Sequence, residues 1–376
     1  MRHEPATAKG DWILGMADQQ SDDTGALLNE SATRLFGSFD EKDIRAVEQG
    51  EWPDAAWAKV QDAGFALALV SEAAGGFGIA SAEAISLLRI AGYHAAPVPL
   101  AETMLANRLL SETGFDIADG PATVVVAESG AFTLAKHGSD WRIKGRAAGV
   151  PWARHVGTIV LLAAHENKSF VVRLTRAVAS VAPAMSFANL PADDVAVDAE
   201  ISDHDVRPAP ANWTSQSLKA AFAALRVSEM AGALARVMEI TVGYANERVQ
   251  FGKPIGKQQA IQQQLAVLAG QAAACGGAAD VASAGFDSLD VIAIAAAKVR
   301  AGEAASIAAP IAHQVHGAIG FTEEHRLHFF TRRLWGWRDE CGSDRYWSKV
   351  VGQQAIAAGA DGLWPFVVAV GAGQGA

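Results

Sequence analysis

From position 215 to 250 the sequence SQSLKAAFAALRVSEMAGALARVMEITVGYANERVQ runs about 36 residues without a proline, and as one helix it would extend roughly 54 Å. Two segments of similar texture follow, PIGKQQAIQQQLAVLAGQAAAC and SLDVIAIAAAKVRAGEAASIAAPIAHQVHG. Long alanine-rich helices with short links predict a four-helix bundle, because small residues let neighbouring helices approach closely.

The chain upstream changes texture twice. From about Gly25 to Thr113, apolar residues recur three and four apart, as in EWPDAAWAKVQDAGFALALV, which is helical spacing. The glycines of SEAAGGFGIA mark a loop, and Ser81 and Glu83 then mark a helix start. Between Phe115 and Pro210 come short runs rich in valine and isoleucine, ATVVVAES, FTLAK, DWRIKG, VGTIVLLAA, KSFVVRL and DDVAVDA. Turn residues separate them, which predicts an antiparallel sandwich or barrel, with AKHGSDWRIKG as a hairpin. The expected class is therefore α+β and multi-domain: a helical domain over 1–114 with its first 24 or so residues flexible, a β domain over 115–212, and a helical bundle over 213–376.

Composition narrows the function. Thirty-one basic against 41 acidic residues give a net charge of −10, which argues against a nucleic-acid partner. Cys275 and Cys341 lie far apart without metal-ligand spacing, so a disulfide framework is not expected. The N-terminus has no apolar signal region, and no uninterrupted apolar stretch reaches the roughly 18 residues of a spanning helix. A soluble cytoplasmic protein without a membrane partner is expected. His313, His316, His325 and His328 stand at spacings of three beside Glu323 and Glu324. Helix packing is the expected role of these histidines, and no metal is assigned to them.

Two strings in the last segment carry chemistry. In YANERVQFGKPIGKQQAIQQQLA, residues 244–266, Arg248 ends the long helix before a bend fixed by Gly252, Pro254 and Gly256. An arginine there can meet a diphosphate through paired hydrogen bonds, and Phe251 can lie against a flat ring. In HQVHGAIGFTEEHRLHFFTRR, residues 313–333, Gln314 is followed by Gly317 and Gly320, which allow close backbone approach to a ligand. On their own, Arg248 would be read as a solvated helix end and the glutamines at 258, 259, 262, 263 and 264 as a polar face.

These strings, with VSEAAGGFGIASAEA and PVPLAETMLANRLL upstream, resemble the acyl-CoA dehydrogenase family over nearly the whole chain. The resemblance implies that family's three-part fold and the FAD-dependent α,β-desaturation of an acyl-CoA thioester. It also implies that Arg248, Phe251, Gln259, Gln314 and Gly317 bind the FAD of a neighbouring subunit. The bundle would then form the oligomer interface, and an electron-transfer flavoprotein would accept the electrons.

That reaction needs a carboxylate to take the α-proton. In the family it is usually the glutamate of a Tyr-Glu-Gly-Thr loop. In register from Gly320 the loop here reads Glu340-Cys341-Gly342-Ser343, with Cys341 in the glutamate's place and Glu340 in the tyrosine's. Glu340 is therefore the candidate base. The alternative position used by some members falls on Phe222, followed by Ala223, and Glu229 two turns on is expected to be a buried polar anchor. Cys341 as a nucleophile would need Arg338 or Arg345 to depress its thiol pKa. The middle domain has a shortened VVVAESGAFTLAKHGSD, and Gly149 and Pro151 stand where the family has an aromatic residue and a threonine at the flavin. GAIGFTEEHRLHFF resembles the shorter bacterial members, which form α2β2 hetero-oligomers. The resemblance thus implies an intact half-site offered to a neighbour and an eroded one kept. This fits a base-lacking subunit of a hetero-tetramer, an active homo-oligomer, or a silent homologue acting as scaffold or acyl-CoA binder.

Overall fold

The protein is described by a computed structural model over residues 25–371, so the expected flexibility of the first 24 or so lies outside the described residues. Five helices come first: α1 (25–37), α2 (Glu41–Glu48), α3 (Asp54–Asp62), α4 (Ser81–Tyr93) and α5 (Leu100–Glu112). Asp40 caps α2 in a reciprocal box with Asp43, which satisfies two backbone donors at once. The expected helix start at Ser81 is the first residue of α4.

The β region carries eight strands: β1 (Ala122–Val125), β2 (Phe132–His137), β3 (Asp140–Pro151), β4 (Thr158–His165), β5 (Lys168–Thr175), β6 (Ser180–Ala182), β7 (Ala192–Ile201) and β8 (Val206–Pro208). They form one sheet in the order β6-β7-β3-β2-β4-β5-β8, with β1 beside β4. Most pairings are antiparallel, including the expected β2–β3 hairpin, whereas β1 and β2 both meet β4 in parallel. Alternate residues of β7 point into the core, as the two-residue period of a strand requires. The β3–β7 register slips between Ala147 and Val150, and the bulge contains Gly149 at φ +68. Bulges of this kind re-aim a strand beside a site.

The last part holds α6 (Ser215–Glu247), α7 (Gln259–Ala284), α8 (Val291–His316), α9 (Leu327–Asp339) and α10 (Asp344–Gly371), the last kinked at Gly359. The long proline-free stretch forms one helix of 33 residues, opened by a Thr214–Ser217 capping box. Its first half is wrapped by the N-terminal helices, α7, α8 and α9, so a single apolar core joins both helical parts of the chain. α7 is long and apolar enough to cross a membrane by length and composition, with mean hydropathy 1.4 over its apolar window. It packs instead on α6 and α8, and only 33% of that window is buried within the chain.

Candidate active site

α6 carries two sites, one near each end. Near its start, Phe222 faces β1 and the β3 bulge across a cavity of about 280 Å³. The opposite wall is the loop after α9. Glu340, Cys341 and Gly342 line it together, with Val124, Gly149 and Lys219 around them. Cys341 and Gly342 both have positive φ, +57 and +104, and the Cys341 carbonyl accepts a 3.0 Å hydrogen bond from Trp347 Nε1. A side chain at position 342 would meet Trp347 Nε1 at 2.6 Å, so glycine fixes this turn. The two positions that register assigned to a base, Phe222 and Cys341, thus stand on one cavity, and neither carries a carboxylate.

Glu340 is the one carboxylate among the described residues lining this cavity, and it reaches the wall without any loop shift. It is held from behind by Arg226, whose Nη2 and Nε donate to Glu340 Oε1 at 2.8 and 3.1 Å. The same guanidinium donates to Glu229 Oε2 at 2.6 Å and to Glu102 Oε1. Side-chain exposure is 2% for Glu102, 5% for Arg226 and 10% for Glu229, but 24% for Glu340, so Glu340 is the member open to the cavity. Burial, with Glu102 next among the groups that raise it, outweighs the pull of Arg226 and pushes Glu229 up to about 7. Glu229 is thus the buried polar anchor expected from sequence. Arg226 and Glu102 were not legible as site residues, although an arginine and a glutamate three apart inside the apolar run AAFAALRVSEMAG are a signal of buried pairing.

Cys341 does not have the setting of a nucleophile. Burial and the adjacent Glu340 raise its thiol pKa, which leaves it protonated. Cys275 is buried and likewise raised, and both cysteines are free.

At the other end of α6, the expected cofactor residues Arg248, Gln314 and Gly317 line a cavity of about 500 Å³ together with Tyr244 and His316. Arg248 caps the helix, and Gly317 leaves α8 at φ +64. The Arg248 and Gln314 side chains have no hydrogen-bond partner among the described residues. His316 stacks on Tyr244 at 4.5 Å and donates from Nδ1 to the Ala312 carbonyl at 2.7 Å. Its Nε2 is therefore an acceptor, and it is buried without a partner among the described residues. Burial pushes this imidazole down to about 4, so it stays neutral near pH 7. Free donors, a buried free acceptor and a glycine at close approach suit a ligand that bears both phosphates and hydroxyl or amine groups. Phe251 stands 92% exposed in the turn after α6, and Gln259 is exposed at the start of α7; neither is on this cavity's wall.

Residues 217–338 match the acyl-CoA dehydrogenase C-terminal domain. The chain is similar to acyl-CoA dehydrogenase IpdE2 of Mycobacterium tuberculosis (strain ATCC 25618 / H37Rv), 29% identical over 280 residues that cover 73% of this chain and 78% of that protein. Among solved structures, a variant of the Tcur3481–Tcur3483 steroid ACAD aligns with TM-score 0.81 at 23% identity, covering 91% of this chain and 99% of that one. The ChsE4–ChsE5 complex from Mycobacterium tuberculosis aligns with TM-score 0.76 at 22% identity, covering 90% and 97%.

Proposed function

We propose that this chain, whose residues 217–338 match the acyl-CoA dehydrogenase C-terminal domain, acts as a member of that family, taking part in the α,β-desaturation of an acyl-CoA thioester while contributing to two different FAD sites. The observation that carries this reading is the spacing on α6. Phe222 and Arg248 are 26 residues apart on and just beyond one helix, which puts the two cavities about 39 Å apart along its axis. Each is half of a site, and a neighbouring subunit completes each.

Arg248 and Gln314 would hold the diphosphate end of FAD, with His316 Nε2 and the Gly317 backbone beside them. When bound, FAD supplies the acceptor for the hydride that leaves the β-carbon. The residues of this chain act on the rest of the reaction. Val124, Phe222 and the β3 bulge exclude water from the thioester, and Glu340 takes the α-proton. The likeness to a steroid ACAD, with Ala148 and Gly149 on the wall, supports a bulky acyl group. Apolar surface left uncovered on α7, with Phe251 and Phe321 exposed at 92% and 74%, supports an oligomer.

A second reading follows from Phe222 and Cys341. With both base positions lost, the chain serves as the partner that completes the flavin site of a second acyl-CoA dehydrogenase subunit, as the hetero-complex relatives support. One experiment separates the two. The chain is purified alone and co-expressed with a neighbouring acyl-CoA dehydrogenase subunit, and FAD per chain is measured. Glu340→Gln is then introduced into whichever preparation holds flavin. Flavin in the chain alone and a loss of about 100-fold or more in desaturation are expected for Glu340 as base. Flavin only in the pair, with turnover unchanged by Glu340→Gln, assigns the base to the partner.

A further inference from the structure

Arg226 is one guanidinium shared by three carboxylates from three parts of the chain: Glu102 from α5, Glu229 from α6 and Glu340 from the loop after α9. Glu102 and Glu340 accept from the same Nη2, which keeps their oxygens within about 5 Å, close enough for each negative charge to oppose the other. Phe222 and Trp337 flank the guanidinium at 4.7 and 5.8 Å and shield it from water. The other charged groups facing the cluster make no hydrogen bond to these carboxylates. Arg333 of α9 donates to the Ala96 carbonyl, and Lys298 of α8 donates to the carbonyls of Trp337 and Arg338. Asp344 of α10 lies beyond Lys298, and the Cys341 thiol is protonated. Two buried carboxylates and a third at the cavity wall, gathered on one cation, favour uptake of a proton over full ionisation.

Building on the reading of Glu340 as the base, we propose that Glu102 and Glu229 hold a proton between them on Arg226 and act as positioning residues, dividing among three carboxylates the guanidinium that tethers Glu340 at the cavity wall. A simple Arg226–Glu340 pair would stabilise the ionised carboxylate and make it a poor proton acceptor. Sharing the guanidinium with two more carboxylates divides that stabilisation. With one proton on board, the four side chains carry one negative charge in excess. When the thioester's Cα–H bond breaks, the proton bonds to a Glu340 oxygen and the cluster becomes neutral. The electron pair left at Cα forms the new double bond as hydride leaves Cβ for the flavin, so charge and electrons balance. Burial raises both Glu102 and Glu229, in keeping with a retained proton.

The test needs neither substrate nor turnover. The full chain is labelled with carboxyl-¹³C glutamate, and its carboxyl resonances are titrated by NMR, with Glu340 assigned through Glu340→Gln. A carboxyl group titrating near pH 7 is expected in the wild type and should be lost in Glu229→Gln. The Glu340 midpoint should fall by about one pH unit or more in Glu102→Gln/Glu229→Gln, where Arg226 faces it alone. Glutamine keeps an acceptor for Arg226, and Glu102→Gln alone carries the comparison if the double variant does not fold. Absence of any near-neutral carboxyl, or a Glu340 midpoint unmoved by these substitutions, overturns the inference. Unchanged turnover in Glu340→Gln would instead overturn the assignment of the base, so the two failures are told apart.

Discussion

Arg248 ends its helix with a guanidinium in a cavity and no partner among the described residues, the state from which a phosphate gains most. Arg248→Met should weaken FAD retention by about 10- to 100-fold, the equivalent of one or two charge-assisted hydrogen bonds, as read by flavin absorbance after gel filtration. Arg248→Lys should recover only part of it, because an ammonium group lacks the planar fork. Single residues were legible in the sequence to the extent that their neighbours in space are neighbours in the chain. Arg248 sits in a continuous string, and that string is what singles it out as a candidate. Register singles out Glu340 as a candidate, but not its tether, because Arg226 lies 114 positions away and Glu102 lies 124 positions from Arg226. No periodicity reports on a pairing between distant segments.

Among the elements, α4 and α6 cross where both present glycine. A Cβ on Gly232 would stand 1.8 Å from the Arg89 carbonyl oxygen, and one on Gly92 would stand 2.1 Å from that of Glu229. This close approach seats the turn of α6 that carries Arg226 and Glu229. Gly232→Ala should destabilise the protein by about 1–3 kcal/mol or more through overpacking, whereas Gly243→Ala on the same helix, with open space around it, should be neutral or stabilising by up to about 1 kcal/mol. Urea midpoints decide between these outcomes. The junction of α8 and α9 makes a second prediction. Burial lowers His313, His316, His325 and His328, His316 from 6.5 to about 4. Below about pH 6.5 the unfolded chain binds protons that the folded one refuses, so stability falls as pH drops from there towards about 4. The raised carboxyl groups Glu102, Glu229 and Asp344 oppose this, since each weakens the fold as pH rises, but they are three groups against six histidines once the lowered His94 and His155 are counted. The thermal midpoint should be lower at about pH 5 than at about pH 7.5, and His316→Asn should flatten the difference.

At the scale of the whole molecule, the order helical, β, helical was legible because each part has its own hydrophobic period and its own turn residues. The parallel pairings of β1 and β2 with β4 were not, since partner choice within a sheet depends on segments that local patterning treats alike. Nor could the sequence show that the two cavities lie near opposite ends of a single rod. That rod has a genetic consequence. If copies of this chain assemble with one another, a subunit damaged at Arg248 and a subunit damaged at Glu340 fail in different composite sites. Neither variant works alone, yet a mixed dimer recombines the two sound ends into one complete centre. Random pairing of the two inactive proteins should restore about a quarter of wild-type turnover. Assembly only with a different subunit would restore none, so mixing two dead variants in one tube reports which neighbour the helix was shaped to meet.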